Sequence, residues 1–360
     1  MKKILFITGP MGGHGGEETV LTRVIDGLAY KYDLQLLVSS QTGDSAWLTD
    51  VSSFLSKTTI LSNNISVIKK FIRIFKIIQH SKADIIIALS PRMLEIAYLV
   101  RLFMTKHTKL ISWLHFSVTD KYSRRTLMHL KHADDNFVLT NGSKQQLVES
   151  NIEIDSEKIF VTYNPIVRQD KVLPKTASSR PTKIVCVSRI QFRGEKNLQE
   201  LFDACSKLTG NWELHIYGSD DSKGKIETSK CFKYIKQLDI QSHVIWHGFI
   251  KDVWNQIDSI DCLVLTSRYE GFAMVLCEAI SYGVPVISSD CPTGPAEIVT
   301  SENGFLYQMG DIQQLTKYLQ SFVSREMYFN QKVVKESISN FYQDNYLQRF
   351  EARLSKSNGR

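Results

Sequence analysis

The sequence predicts an α/β protein of two domains, each built on a parallel β-sheet covered by helices. Three observations lead there. Short runs that are apolar throughout, as suits strands buried on both faces, alternate with stretches of helical period. The alternation stops at 167–182, which is polar, carries two prolines and has no apolar period, and then restarts. At 360 residues and 43% hydrophobic content, the chain can bury a separate core on each side of that break.

The first domain, 1–166, opens with KILFIT, a strand entering the glycine-rich stretch GPMGGHGGEE, and continues into the helix ETVLTRVIDGLAYKY. DLQLLVS and ADIIIALS read as strands, MLEIAYLVRLF as a helix, and KLISWLH, NFVLT and KIFVTYN as further strands, with SKQQLVES helical between the last two. Asp134 and Asp135, just before NFVLT, are expected at a helix end. Beyond the linker 167–182, the second domain, 183–339, begins with KIVCVS and the helix NLQELFDACSKL. The strands WELHIYG, HVIWHGF and DCLVLTS follow, then a helix after Glu270 and the strand VPVISS. A final helix, about 340–360, is expected to pack back on the first domain. Sheets of this kind bind ligands beyond the carboxyl ends of their strands, so the expected site lies in a cleft between the domains.

Composition narrows the class. The formal charge of +7 comes with no nucleic-acid motif, so it does not point to nucleic acid. VIKKFIRIFKIIQHSK, residues 67–82, sets Ile and Phe at helical spacing among lysines and an arginine. It reads as a solvated surface helix or as one that touches an anionic membrane face. The six cysteines form neither CxxC pairs nor metal-ligand spacings, which predicts reduced thiols in a cytoplasmic protein. The start of the chain reads as a first strand rather than a signal peptide, and no run is long enough for a membrane span.

The chemistry gathers in SRYEGFAMVLCEAISYGVPVIS, 267–288. Glu270 follows the strand DCLVLTS, Gly271 allows a turn, and a helix is expected to begin near Phe272 or Ala273. The start of a helix presents unpaired N–H groups and partial positive charge, which suits a phosphate. Glu278 lies eight residues on, ~12 Å if the rise is helical throughout. Two carboxylates flanking an anion seat suit the hydroxyl groups at the two ends of a sugar nucleotide. In the first loop, five glycines (9, 12, 13, 15 and 16) occupy eight positions, and Gly15 and Gly16 let backbone N–H groups approach a phosphate or an acceptor. GxGxxG is absent there, which argues against a dinucleotide enzyme.

These blocks, in their order, resemble the retaining glycosyltransferases of family 4, which have the GT-B fold of two Rossmann-like domains facing each other across a cleft. Glu270 and Glu278 match the family's E-x7-E element, and IVCVSRIQFRGEKNLQELF matches the block that places an arginine and a lysine on the donor diphosphate, here Arg189 and Lys196. SSDCPTGPAEIV, YNPI and GGHGGEETV resemble further family segments. The resemblance implies that Glu270 holds the hexose and Glu278 the ribose. His115, ending KLISWLH, would meet the transferred sugar or the acceptor. His247 and Phe249 would line the base pocket, and Phe272, Ala273, Met274 and Val275 would shape the loop beside the sugar.

By the same resemblance, the first domain reads the acceptor and the second binds the donor. The reaction moves a hexose, galactose first, from a UDP-sugar to a hydroxyl of a cell-surface glycan such as lipopolysaccharide core. The donor is a substrate, no cofactor is expected, and with no DxD pair in the chain no divalent metal is required. Alternatives are a glucosyl- or N-acetylglucosaminyltransferase for capsular, teichoic or other polysaccharide, and a non-catalytic glycan-binding subunit of the same fold. The expected partners are the nucleotide sugar, a glycan or glycolipid acceptor and, peripherally, the inner face of the plasma membrane.

Overall fold

A computed structural model describes residues 1–12, 16–43, 45–115, 118 and 122–356. The chain divides into two compact units, Met1–Pro165 with Gln343–Arg360, and Ile166–Tyr342.

In the first unit the strands are β1 (Lys3–Met11), β2 (Asp33–Gln41), β3 (Lys57–Ile60), β4 (Ile85–Ala88), β5 (Lys109–Trp113), β6 (Asp135–Val138) and β7 (Ile159–Val161). They form one parallel sheet in the order β3-β2-β1-β4-β5-β6-β7, with Ile4 of β1 paired to Leu34 on one side and Ile85 on the other. Both faces are covered, so the central strands are apolar throughout, and β4 is fully buried along IIIA. The helices are α1 (Gly16–Leu28), α2 (Ala46–Ser52), α3 (Val67–Ser81), α4 (Pro91–Arg101), α5 (Arg124–Leu127) and α6 (Asn141–Glu149). Ser66, Ser90 and Thr140 cap α3, α4 and α6 by accepting a backbone N–H three residues on.

Two parts differ from expectation. The edge strand β3 is mostly exposed along KTTI, so it lacks the apolar run that marks its neighbours. Asp135 opens a strand instead of ending a helix, because the preceding 3-10 turn already stops at His132.

The second unit carries β8 (Thr182–Val187), α7 (Leu198–Cys205), β9 (Trp212–Tyr217), α8 (Ile226–Gln237), β10 (Val244–Gly248) and α9 (Val253–Gln256). It continues with β11 (Cys262–Leu265), α10 (Met274–Ser281), β12 (Val286–Ser289), α11 (Pro295–Ile298), β13 (Gly304–Tyr307), α12 (Ile312–Val323) and α13 (Gln331–Glu336). Its parallel sheet runs β10-β9-β8-β11-β12-β13, so β8 and β11 are neighbours although 74 residues separate their ends. The six cysteines are buried and unbridged, and burial pushes the Cys186 thiol up to about 11. Among the described residues no helix is long and apolar enough to cross a membrane.

The last helix, α14 (Gln343–Ser355), belongs to the first unit. Tyr346, Phe350 and Leu354 form a buried stripe at i, i+4 and i+8, and the Phe350 ring lies 5.4 Å from Trp113 of β5 and 5.1 Å from Phe137 of β6. Asp135 is fully buried and is compensated by Lys109 at 2.8 Å and by Arg353 of α14, since an unpaired carboxylate there would be costly. Phe350→Ala removes a ring packed on two strands and should destabilise the first unit by about 3–5 kcal/mol in urea unfolding. A loss below about 1 kcal/mol would mean that α14 is dispensable to this core.

Candidate functional site

The loops that follow β8 and β11 meet at the carboxyl end of the second sheet. Arg189 lies two residues past β8, and Lys196 stands two residues before α7. Glu270 lies in the loop between β11 and α10. Backbone contacts lock the loops together: Arg268 N donates to Glu195 O at 2.7 Å, and Thr266 Oγ1 donates to Lys196 O and Asn197 O at 3.1 and 3.2 Å.

At the centre is a chain of four charges. Lys196 Nζ lies 2.7 Å from Glu270 Oε1 and 2.8 Å from Glu195 Oε1, and the other oxygen of Glu195 meets Arg189 Nη2 at 2.8 Å. Burial disfavours the lysine's charge, yet Glu270 and Glu195 outweigh it, so Lys196 is held above its ordinary value and stays protonated. Burial raises the Glu195 carboxyl, but Lys196 and Arg189 overcome it and hold the group below its usual range. Arg189 remains half exposed, leaving part of its guanidinium open to solvent.

Glu270 is set by its own surroundings. Ser267 Oγ donates to Glu270 Oε1 at 2.6 Å, Glu270 N donates to Pro292 O at 2.7 Å, and Thr293 N donates back to Glu270 O at 2.9 Å. The CPTGP segment is thereby bound to the glutamate loop. A Cβ on Gly294 would come within 2.6 Å of the Phe272 backbone, so only glycine permits this approach. Phe272 is buried edge-on against Phe341, and Ala273 takes a left-handed conformation (φ 60°) just before α10. An alanine seldom adopts that conformation, and here it turns the chain into the helix.

α10 starts at Met274, with no side chain capping it. Only the last four residue steps from Glu270 to Glu278 are therefore helical, about 6 Å of rise, and the first four belong to the loop before α10. Met274 and Val275 form its first turn, half buried. Glu278, one turn on, accepts a hydrogen bond from Trp254 Nε1 of α9 at 3.2 Å, and the Trp254 ring stacks on Tyr282. His247, on β10, stacks on Tyr217 with ring centroids 4.1 Å apart, and its Nε2 lies 2.9 Å from His215 Nδ1. Burial, then His215 and Lys183, hold His247 below its ordinary value. Phe249, just beyond, is 56% exposed.

The first unit holds the remaining expected residues. His115 follows β5, buried against Trp113, and its Nε2 has no hydrogen-bond partner among the described residues. Burial pushes it down to about 3, so the ring is neutral. Gly16 is the first residue of α1, and Gly15 lies outside the described residues. Glu18, in the first turn of α1, accepts from Gly12 N at 3.0 Å and so ties this acid to the glycine-rich loop. Among the described residues, no group of three His, Cys, Asp or Glu is placed to hold a metal ion.

Sequence reasoning missed Glu195, Ser267 and Trp254. GEKN resembles an exposed turn when read alone, and a tryptophan 24 residues before Glu278 carries no local signal.

Comparison with known proteins adds identity to this geometry. The family described as "Glycosyl transferases group 1" matches residues 169–339. The chain is 30% identical over 355 residues to the lipopolysaccharide 1,6-galactosyltransferase of Escherichia coli K12, covering 96% of each chain. It is also 30% identical over 358 residues to the lipopolysaccharide 1,6-galactosyltransferase of Salmonella typhimurium LT2, covering 97% of each. Among solved structures it is similar to the apo form of the lipopolysaccharide outer core galactosyltransferase WaaB. The TM-score is 0.84 at 29% identity, over 98% of this chain and 99% of that one. Anabaena Alr3699/HepE, solved in complex with UDP, shares the fold at a TM-score of 0.83 and 19% identity, over 99% and 100% of the two chains.

The neutral His115 has a consequence for stability. Its folded value lies below its unfolded value, so between about pH 6.5 and pH 3 the unfolded chain binds a proton that the folded chain refuses. Stability should fall as pH drops through this window, and His115→Gln should flatten the melting temperature's decline between pH 7 and pH 4. An unchanged slope would show that His115 titrates normally.

Proposed function

Because the chain belongs to the glycosyltransferases of group 1, we propose that it is a retaining family 4 enzyme that moves galactose from UDP-galactose to a hydroxyl of lipopolysaccharide core. The observation that carries this reading is the Lys196–Glu270 pair, set between two sheet-end loops in a chain 30% identical to 1,6-galactosyltransferases along nearly its whole length. The paired cations give a diphosphate a seat, and the relatives' names supply the sugar.

In this reading Arg189 and Lys196 bind the diphosphate and Glu270 orients the galactose hydroxyls. Glu278, steadied by Trp254, takes the ribose, while His247 and Phe249 border the base. Phe272, Ala273, Met274 and Val275 shape the wall beside the sugar, with N–H groups at the start of α10 available to phosphate oxygen. Gly15 and Gly16 let the backbone approach donor phosphate or acceptor, and neutral His115 offers a hydrogen bond to the transferred sugar or the acceptor hydroxyl.

The chemistry needs no covalent nucleophile. The bond from the anomeric carbon to the diphosphate oxygen breaks as the acceptor oxygen bonds to the same face, and the departing oxygen takes the acceptor's proton. Charge grows on the leaving group at that moment, and Lys196, kept protonated by its two carboxylates, meets it without solvent reorganisation. The chain's own cations carry that charge, so no divalent metal is assigned a step. A lipid-linked acceptor places the work in the cytoplasm, at the inner membrane face.

Release of UDP from UDP-galactose, UDP-glucose and UDP-N-acetylglucosamine, with a galactose-deficient core as acceptor, tests the assignment. UDP-galactose should be turned over fastest. Lys196→Ala and Arg189→Ala should each lower turnover by roughly 10²–10³, and near-normal transfer by both purified variants would remove the diphosphate site. Glu278→Ala should weaken UDP binding about 10- to 100-fold in calorimetry, the range for a hydrogen bond to a charged group. Unchanged affinity would end the ribose assignment.

A further inference from the structure

Outside the chain of charges, polar side chains line one face of the second sheet. Glu213, His215 and Tyr217 alternate with the buried Leu214 and Ile216 along β9, so the period of two sets all three on one face. β10 beside it has an irregular register between Trp246 and Gly248, and a bulge of this kind re-aims a side chain. The His247 ring lies nearly parallel to those of Tyr217 and His215, while Trp246 turns to Phe202 and Phe232.

Hydrogen bonds run through that face in one direction. Glu213 Oε2 lies 3.1 Å from His215 Nε2, and His215 Nδ1 lies 2.9 Å from His247 Nε2. An ionised carboxylate only accepts, so His215 Nε2 carries the proton and its Nδ1 is bare. The bare Nδ1 accepts in turn from His247 Nε2–H, which leaves His247 Nδ1 an acceptor with no hydrogen-bond partner among the described residues. Each ring holds a single proton at neutral pH, because burial keeps both below their ordinary values, against the pull of Glu213 on His215. Lys183, opposite Glu213 in the sheet, is engaged by Asp258 at 2.6 Å, which leaves Glu213 to His215. The three groups form a line and not a cage, and among the described residues no group of three His, Cys, Asp or Glu is placed to hold a metal ion.

His247 is exposed at the carboxyl end of β10, the same end of the parallel sheet at which Arg189 follows β8. A base that reaches this end meets an acceptor whose proton state is already set. We propose that Glu213 and His215 are positioning residues that hold His247 in the tautomer with a bare Nδ1, and so select a base whose facing edge carries an N–H. Uracil has one at N3, between two carbonyls, whereas cytosine has the same ring and a bare nitrogen there. This rests on the assignment of His247 to the base of a UDP-sugar, and adds to it the source of a preference for uracil.

Calorimetric titration of the full chain with UDP and with CDP is the test. The parent should bind UDP about 10- to 100-fold tighter than CDP, the cost of facing one acceptor with another. In Glu213→Gln the amide N–H can donate to His215 Nε2, which reverses both tautomers and puts a proton on His247 Nδ1. UDP should then weaken and CDP strengthen until the two bind nearly alike. His215→Phe keeps a ring beside His247 and removes both nitrogens, so the preference should shrink there as well. Damage to packing alone would weaken the two nucleotides equally and keep their ratio. A parent that prefers UDP, with Glu213→Gln and His215→Phe both keeping its ratio, would overturn the proposal and leave the donor reading standing. So would a parent that binds UDP without preferring it to CDP. A parent that binds neither nucleotide would overturn both.

Discussion

The site depends on a lysine that the fold has largely removed from water. A buried ammonium is tolerable only if opposite charge compensates it, and Lys196 has two carboxylates within 2.8 Å. These carboxylates come from different places: Glu195 is its chain neighbour, and Glu270 lies in the loop after β11. The pair thus joins loops far apart in sequence because parallel pairing sets β8 beside β11. Extra bonds from Thr266 and Arg268 hold the backbone of the two loops in register, so the charges meet with little freedom left to lose.

From that pair the local structure extends outward. Glu270 is fixed by Ser267 and by the Pro292–Thr293 backbone, the close approach of Gly294 presses on Phe272, and Ala273 accepts a left-handed backbone to start α10. Each step constrains the next, and α10 then delivers Glu278 to Trp254. In the proposed reaction the donor's phosphates compete with Glu195 and Glu270 for Lys196. The cation is then already charged and oriented when the leaving group needs it.

The parallel architecture was legible because its strands are buried on both faces, as KILFIT and ADIIIALS display, and the polar stretch 167–182 interrupts that signal. Strand β3 escaped because KTTI lies at an exposed edge and so carries no apolar signature. Asp135 misled because its partners, Lys109 and Arg353, are remote in sequence, so a charged pair before a strand resembled a helix end. Within the candidate site, the sequence blocks name Glu270, Arg189 and Lys196, which the fold brings into one chain of charges, and Glu278, which it sets against Trp254. The network that orders them could not be read from those blocks, since Glu195 in GEKN reads as a surface charge until the β11 loop is placed over it. The start of the helix between the two glutamates was expected near Phe272 or Ala273 and falls at Met274, because a periodic apolar run reveals a helix but not the left-handed turn at Ala273 that delays it.

Paired calorimetric titrations of UDP and uridine decide whether Lys196 serves the diphosphate. Lys196→Met should weaken UDP by about tenfold or more, the scale of a charge-assisted phosphate contact, while uridine affinity stays close to that of the parent. Equal affinity of parent and variant for UDP, or an equal loss for uridine, would contradict it and leave Lys196 as a structural clamp between two loops.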